Sequence, residues 1–540
     1  MLAETRCGRR ATHRRLTKTS RTVAKEASRA LVRQVKPLGP LSPPTLIRRH
    51  RHLRLRGTMH IESPFAPEPR LEHRSALYSR VPPLCALALI VLLTALPQGG
   101  VSAQTPDDPP ISLELAQQVF DSVWSQVANA HYDPDMGGID WEAARDDLRP
   151  TSDESFTRSE LRLRVQTLLG RIGESHYSVI PGESWDRAAA LASDGADPTD
   201  AEEGRTSGDP LGVQVRLYGK DIIVAGVTPG SVALEAGVRP GWRVIRLGDN
   251  QVAARMAEFA EEEIDARTAL ILESGLQDQF MNPRADHPLE LVLEDGSGTL
   301  HTFELTPSDA GNVPRQGFGT ILPPLAFEFT HRRLPVEEGC VGIISWSVWL
   351  IPLTARFQEA MDDLEDCRGI ILDLRGNLGG IVGTMSRVGG RFVTDVGVLG
   401  TLTTRDSDLR IQAEPVRVTM AGDPVTPFGG PLAIVVDGLS MSASELFASG
   451  MQALERGKVF GSPTPGMALP ARTVPLPGGD YLMFAFADWV DSAGRRIEGV
   501  GVTPDVLVPM DRDALLEGRD PPVEAALAWI LESEPYRHRP

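Results

Sequence analysis

The sequence predicts a multi-domain α+β protein: a helical region, then a β-rich unit, then an α/β core. Three observations carry that prediction. The chain has 540 residues, more than one ordinary core supports. Between Ile111 and about Pro181 apolar residues recur at helical spacing, as in Leu115, Val119, Val123 and Val127. From Cys340 onward, short apolar β-branched runs alternate with helical patterns, the arrangement of an α/β fold.

Ahead of these lie segments of another character. Residues 1–58 hold 13 Arg and 3 Lys against Glu4 and Glu26 and show no apolar period. Such a segment is a nucleic-acid or membrane arm, a disordered leader, or a stretch upstream of a start at Met59. Residues 59–103 read as a secretory signal. Arg74 and Arg80 precede the apolar run Val81–Pro97, and Val101-Ser102-Ala103 offers a small-x-small cleavage site. The run is short for a transmembrane span, so no stable span is expected after cleavage. The expected location is periplasmic or secreted.

Residues 1–103 contain 19 basic and 5 acidic residues, so the net charge of −17 for the whole chain becomes −31 for the remainder. So acidic a body argues against nucleic acid as a partner. Two cysteines remain, Cys340 and Cys367, each just before a strand-like run. A disulfide between neighbouring strands and a pair of buried thiols both fit.

Residues 104–183 form the helical region, ending in Gly173-Glu174-Ser175-His176-Tyr177. Residues 184–209, rich in Asp, Ala, Gly and Ser, read as an acidic linker. Residues 210–310 carry strand signals at 213–217, 222–227, 243–247, 289–293 and 301–305, with a short helix capped by Ser231 and stopped by Gly237. From Ala253 to about Leu276 a further acidic, amphipathic helical stretch interrupts them. Residues 311–540 form the α/β core.

The chemistry concentrates in Leu432–Pro470. A buried-type strand ends at Asp437-Gly438, a turn of small residues follows, and Ser442-Ala443-Ser444-Glu445 opens a helix. That places a serine hydroxyl at a helix N-terminus, where unpaired backbone N–H groups and the helix dipole stabilise an oxyanion. The bland reading of such a serine is a helix cap. A second apolar strand ends in Asp373-Leu374-Arg375-Gly376-Asn377-Leu378-Gly379-Gly380, and open α/β sheets build sites beyond such strand ends. There is neither metal-ligand spacing nor a phosphate loop, and no cofactor is expected.

Taken in order, these motifs, together with Glu498-Gly499-Val500-Gly501-Val502-Thr503-Pro504-Asp505, make the chain resemble the C-terminal processing, or tail-specific, serine proteases. The resemblance runs from about Ile111 to the C-terminus. It implies a core of crotonase/protease-like type with an inserted PDZ-like domain. It also implies Ser442 as nucleophile and the backbone N–H groups of Ala443 and Gly379 as oxyanion donors. Leu211, Gly212 and Val213 then correspond to the loop that captures a peptide's terminal carboxylate, beside a strand with which the peptide pairs.

The family's general base is a lysine, and its position here is Met467. A thioether cannot accept a proton, so the usual Ser–Lys dyad is absent. Tricorn-type relatives use a histidine with an acidic helper. Placed on the first core strand, that histidine falls at Ser345, while the acidic helper falls at Glu498. His176 is the one histidine inside a family motif and is the candidate base, its bland reading being a structural hydrogen-bonding group. The expected function is a serine endopeptidase that binds protein C-terminal tails and cleaves through Ser442. The alternative is a non-catalytic peptide-binding or scaffold protein that has lost its base.

Overall fold

The computed structural model describes residues 108, 110–151, 156–186, 211–259, 264, 266–281, 288–307, 315–318, 322–419 and 422–533. The basic leader, the secretory signal and most of the acidic linker lie outside them. Among the described residues no helix is long and apolar enough to cross a membrane.

The helical region contains α1 (Leu113–Ala130), α2 (Trp141–Leu148) and α3 (Arg158–Gly170). Ser112 and Asp140 cap the first two, and Thr157 with Glu160 forms a reciprocal capping box on the third. Their apolar stripes, with Phe120, Val123, Leu161 and Leu168 among them, share one core with Tyr177 and Val179 of the following segment.

The next unit is a five-stranded antiparallel sheet in sequential order. Its strands are β2 (Val213–Tyr218), β3 (Asp221–Val227), β4 (Arg243–Leu247), β5 (Leu289–Glu294) and β6 (Leu300–Leu305), numbered after β1 (Ser178–Ile180) of the helical region. Strand β2 is an edge. Helix α4 (Ala266–Met281) lies along that edge, and its Leu276 and Phe280 enter the unit's own core. The single amphipathic stretch expected at 253–276 is two helices, Val252–Ala257 and α4.

The α/β core is a six-stranded sheet of β7 (Phe329–Pro335), β8 (Cys340–Trp346), β9 (Gly369–Asp373), β10 (Leu432–Val436), β11 (Lys458–Gly461) and β14 (Val506–Leu507), in that order. Only the β7–β8 pair is antiparallel. Every residue of β10 is buried, as expected for a parallel strand covered on both faces. Ile344, Leu372 and Ile434 face α5 (Leu353–Asp363), α6 (Gly383–Gly390) and α7 (Ala443–Ala453). Ile343, Ile371 and Val435 face α8 (Pro521–Glu532) through Val523, Ala526 and Ile530. Cys340 and Cys367 form a disulfide between the starts of adjacent strands, S–S 2.07 Å.

After β11 the chain passes the site and makes a hairpin of β12 (Ala471–Pro475) and β13 (Tyr481–Ala485). Strand β13 pairs on its other side with β1, Met483 opposite Ser178. This three-stranded sheet carries the segment Ser175–His176 to the core.

Candidate active site

Ser442 joins β10 to α7 in a backbone conformation that an L-residue rarely adopts, φ 51° and ψ −118°. Such a residue costs of order 1–3 kcal/mol and persists only where its surroundings impose it. Here the Ser442 N–H donates to Met467 O at 3.0 Å and to Glu445 Oε2 at 3.1 Å. A serine on a strained strand-to-helix turn projects its hydroxyl from the top of the sheet, the geometry of an exposed nucleophile.

Two loops hold that turn. Asp437 Oδ1 accepts from Gly376 N at 2.9 Å and from Leu439 N at 3.0 Å, tying the end of β9 to the end of β10. Asn377, fully buried, donates to Trp346 O at 2.7 Å and accepts from Ser444 Oγ at 2.8 Å, while Met441 N donates to Asn377 O. The same Asn377 Oδ1 accepts from Gly379 N at 3.0 Å.

That last bond directs the Gly379 N–H at Asn377. Gly379 also supplies room. Its φ is +87°, and a Cβ there would lie 2.5 Å from Ser442 Cβ and 3.0 Å from Ala443 N. Ala443 N–H is the first amide of α7, a position with no intrahelical acceptor.

Glu445 is fully buried and gathers four donors: Ser442 N, Met467 N, Gly466 N and Thr464 Oγ1, the last at 2.6 Å. Burial pushes its carboxyl up to about 7, hydrogen bonds from Thr464, Gly466 and Ser442 oppose the rise, and Glu498 adds to it. Ser-x-x-Glu spacing was the sequence signal for this residue, read there only as a helix start.

Glu498 is also buried. Its Oε1 accepts from Ser175 N at 2.8 Å; its Oε2 accepts from Ser175 Oγ at 2.8 Å and from Ala468 N at 2.9 Å. Ser175 Oγ lies 2.7 Å from His176 Nδ1. The Ser175 hydroxyl thus lies within hydrogen-bond reach of both Glu498 Oε2 and His176 Nδ1, and which of Ser175 and the ring donates depends on the histidine tautomer. His176 has φ +64°, a second uncommon backbone conformation in one small region. Ser175 was missed at the sequence level although it stands beside His176. Ser345 is paired in the sheet with Thr330 and Asp373, and Glu498 reaches a histidine through Ser175 and not from that strand.

Met467 is buried in an apolar cluster with Leu439, Met441 and Leu270, against which Leu378 packs. Leu211 and Val213 are buried, and Gly212, at φ +77°, has no space for a side chain beside Ser231. Leu211 O accepts from Ala233 N and Gly212 O from Thr228 N. Arg216 of β2 reaches Asp437 Oδ2 at 3.2 Å, joining the β-rich unit to the turn before Ser442. Among the described residues one group of metal-ligand types clusters, Cys340, Asp366 and Cys367, and its sulfurs are bonded to each other.

Residues 339–508 match the model of peptidase family S41, and residues 114–170 match the tricorn protease C1 domain. The C-terminal core is thus similar to peptidase family S41. Tricorn protease homolog 1 of Streptomyces coelicolor is 24% identical over 428 residues, 77% of this chain and 35% of that protein. The chloroplastic C-terminal processing peptidase of Tetradesmus obliquus is 23% identical over 411 residues, 74% of this chain and 78% of that protein. Thus the chain spans about a third of the tricorn homologue's length. Among solved structures, the photosystem II D1 C-terminal processing protease aligns at TM-score 0.46 and 21% identity, covering 74% of this chain and 96% of that one. The S41 match takes in β8 to β14, and with them Gly379, Ser442, Met467 and Glu498.

Proposed function

We propose that this protein is a serine endopeptidase in which Ser442 attacks the scissile carbonyl and His176 is the general base. The observation that carries the reading is the chain of bonds from His176 Nδ1 through Ser175 Oγ to Glu498. In the proposed tautomer Ser175 Oγ accepts from Nδ1–H, which leaves Nε2 as the proton acceptor. Glu498 also accepts from Ala468 N, one residue beyond the Met467 carbonyl that fixes Ser442, so base and nucleophile share one support.

In this mechanism the Ser442 hydroxyl proton passes to His176 Nε2 as Oγ bonds the carbonyl carbon. The oxyanion is stabilised by Ala443 N–H and the N-terminus of α7. The imidazolium protonates the leaving amine as the C–N bond breaks, and a water molecule then hydrolyses the acyl-enzyme by the same route. The lysine position is therefore dispensable. Met467 favours the scaffold reading only where no other base reaches Ser442.

Residues 210–310 act as a PDZ-like domain whose Leu211–Gly212–Val213 loop receives a protein's C-terminal tail, and residues 311–540 with 104–183 form the protease body. Export through residues 59–103 to the periplasm or beyond agrees with a disulfide in the core. The test is labelling of the full chain by a fluorophosphonate, with cleavage of an unstructured peptide. Labelling lost in Ser442→Ala, and cleavage reduced about 10²- to 10⁴-fold in His176→Ala, are expected. Labelling and cleavage unaltered by His176→Ala would remove the assigned base.

A further inference from the structure

We propose that the apolar cluster beside Ser442 is the pocket for a large aliphatic side chain of the substrate, and that Leu270 of α4 fills it in the resting protein. This rests on the reading in which Ser442 is the nucleophile. Three of the lining residues are tied to that serine: Met441 precedes it, Met467 O accepts its N–H, and Leu378 precedes Gly379. Leu439 completes the wall. Two flexible methionines let its shape adapt to an aliphatic chain.

Leu270 comes from elsewhere. It belongs to the β-rich unit, yet it is 1% exposed because it sits among residues of the nucleophile loops. The other large buried apolar residues of α4, Leu276 and Phe280, point into their own unit. Leu270 is thus placed as a substrate side chain would be.

The rest of the same helix face occupies the edge of β2. Gln277 Nε2 donates to Val213 O at 3.0 Å, and its Oε1 accepts from Val215 N at 2.9 Å. Glu273 Oε1 accepts from Leu217 N at 2.6 Å. Residues 213, 215 and 217 alternate along the edge and carry the backbone groups an added peptide strand would use. Residues 270, 273 and 277 lie three and four apart, so they share a face of one rigid helix. A tail that pairs with β2 displaces Gln277 and Glu273, and Leu270 withdraws with them.

Binding can be measured without catalysis, in full-length Ser442→Ala, by fluorescence anisotropy with C-terminally amidated peptides that the carboxylate loop cannot hold. Two peptides differ only in a central Leu or Glu. Adding Leu270→Ala is expected to tighten the Leu peptide about tenfold, the scale of burying part of one aliphatic side chain, and to leave the Glu peptide unchanged. Equal gains for both peptides, or no gain for the Leu peptide, would overturn the proposal. Gln277→Ala, which loosens the helix without touching the pocket, should also tighten the Leu peptide, and no gain there counts against it equally. Failure of the catalytic reading appears separately, as absent fluorophosphonate labelling of Ser442, and leaves these affinities readable.

Discussion

Ser442 owes its orientation to a neighbour that lacks a side chain. Gly379 combines φ +87° with a Cα pressed against Ser442 Cβ, so Gly379→Ala meets both a strained backbone and a carbon 2.5 Å away. The added methyl must push the serine or tear the Asn377 bond that fixes the loop. Activity is expected to fall at least about 100-fold, since displacements near 1 Å are enough for that. Stability should fall by about 1–3 kcal/mol from overpacking. Steady-state cleavage and urea unfolding of the pair check this, and near-native turnover would contradict the packing argument. At this scale Ser442 was legible because strand, small turn and helix are local patterns. His176 was legible only as a candidate, because its link to Glu498 passes through Ser175 and depends on β1 pairing with β13, far apart in sequence. The bond from Gly379 N to Asn377 was not legible, because nothing in the sequence says that Asn377 folds back onto that N–H.

Helix α4 shows what an element's pattern leaves open. Its amphipathic character was visible, but periodicity reports which face is buried and not against what. Glu273 is the clearest instance: an acidic residue on a helix turns out 6% exposed, between Leu217 N and the Arg216–Asp437 pair. Burial pushes its carboxyl up to about 7, against the pull of Arg216 and the Leu217 bond, with Asp437 adding to the rise. A folded-state value above the unfolded one means that the protonated form fits the fold better. Its contribution is complete below the unfolded value near 4.5 and is lost as pH rises through about 7. The full swing is roughly 3 kcal/mol. Glu273→Gln removes the titration while keeping an acceptor for Leu217 N. Denaturant unfolding between pH 5 and pH 8 should therefore show wild type losing stability relative to the variant, and parallel pH curves would argue against the buried protonated carboxyl.

Across the whole molecule, the two ends of the core sheet have separate tasks. The apolar runs that announced β9 and β10 read as buried strands of an α/β core, and the structure makes them neighbours in a parallel sheet. The loops that hold Ser442 and Gly379 extend beyond the C-terminal ends of those strands, as the α/β rule requires of a site. Cys340 and Cys367 lie at the opposite end, before β8 and β9, and the sequence left their pairing open because proximity of strand starts depends on sheet order. The bond closes a loop with a sequence separation of 27 that contains α5. Loop-closure entropy gives it about 3 kcal/mol. Replacing both cysteines by serine should lower unfolding stability by about that amount, and dithiothreitol should destabilise wild type but not the variant. Peptide cleavage under native conditions should change less than about twofold, because none of the bonds that hold Ser442, His176 or Glu498 involves either cysteine. A large loss of turnover with the fold intact would mean that the two ends of the sheet are coupled. Equal stability with and without the bond would mean that the unfolded chain is already constrained there.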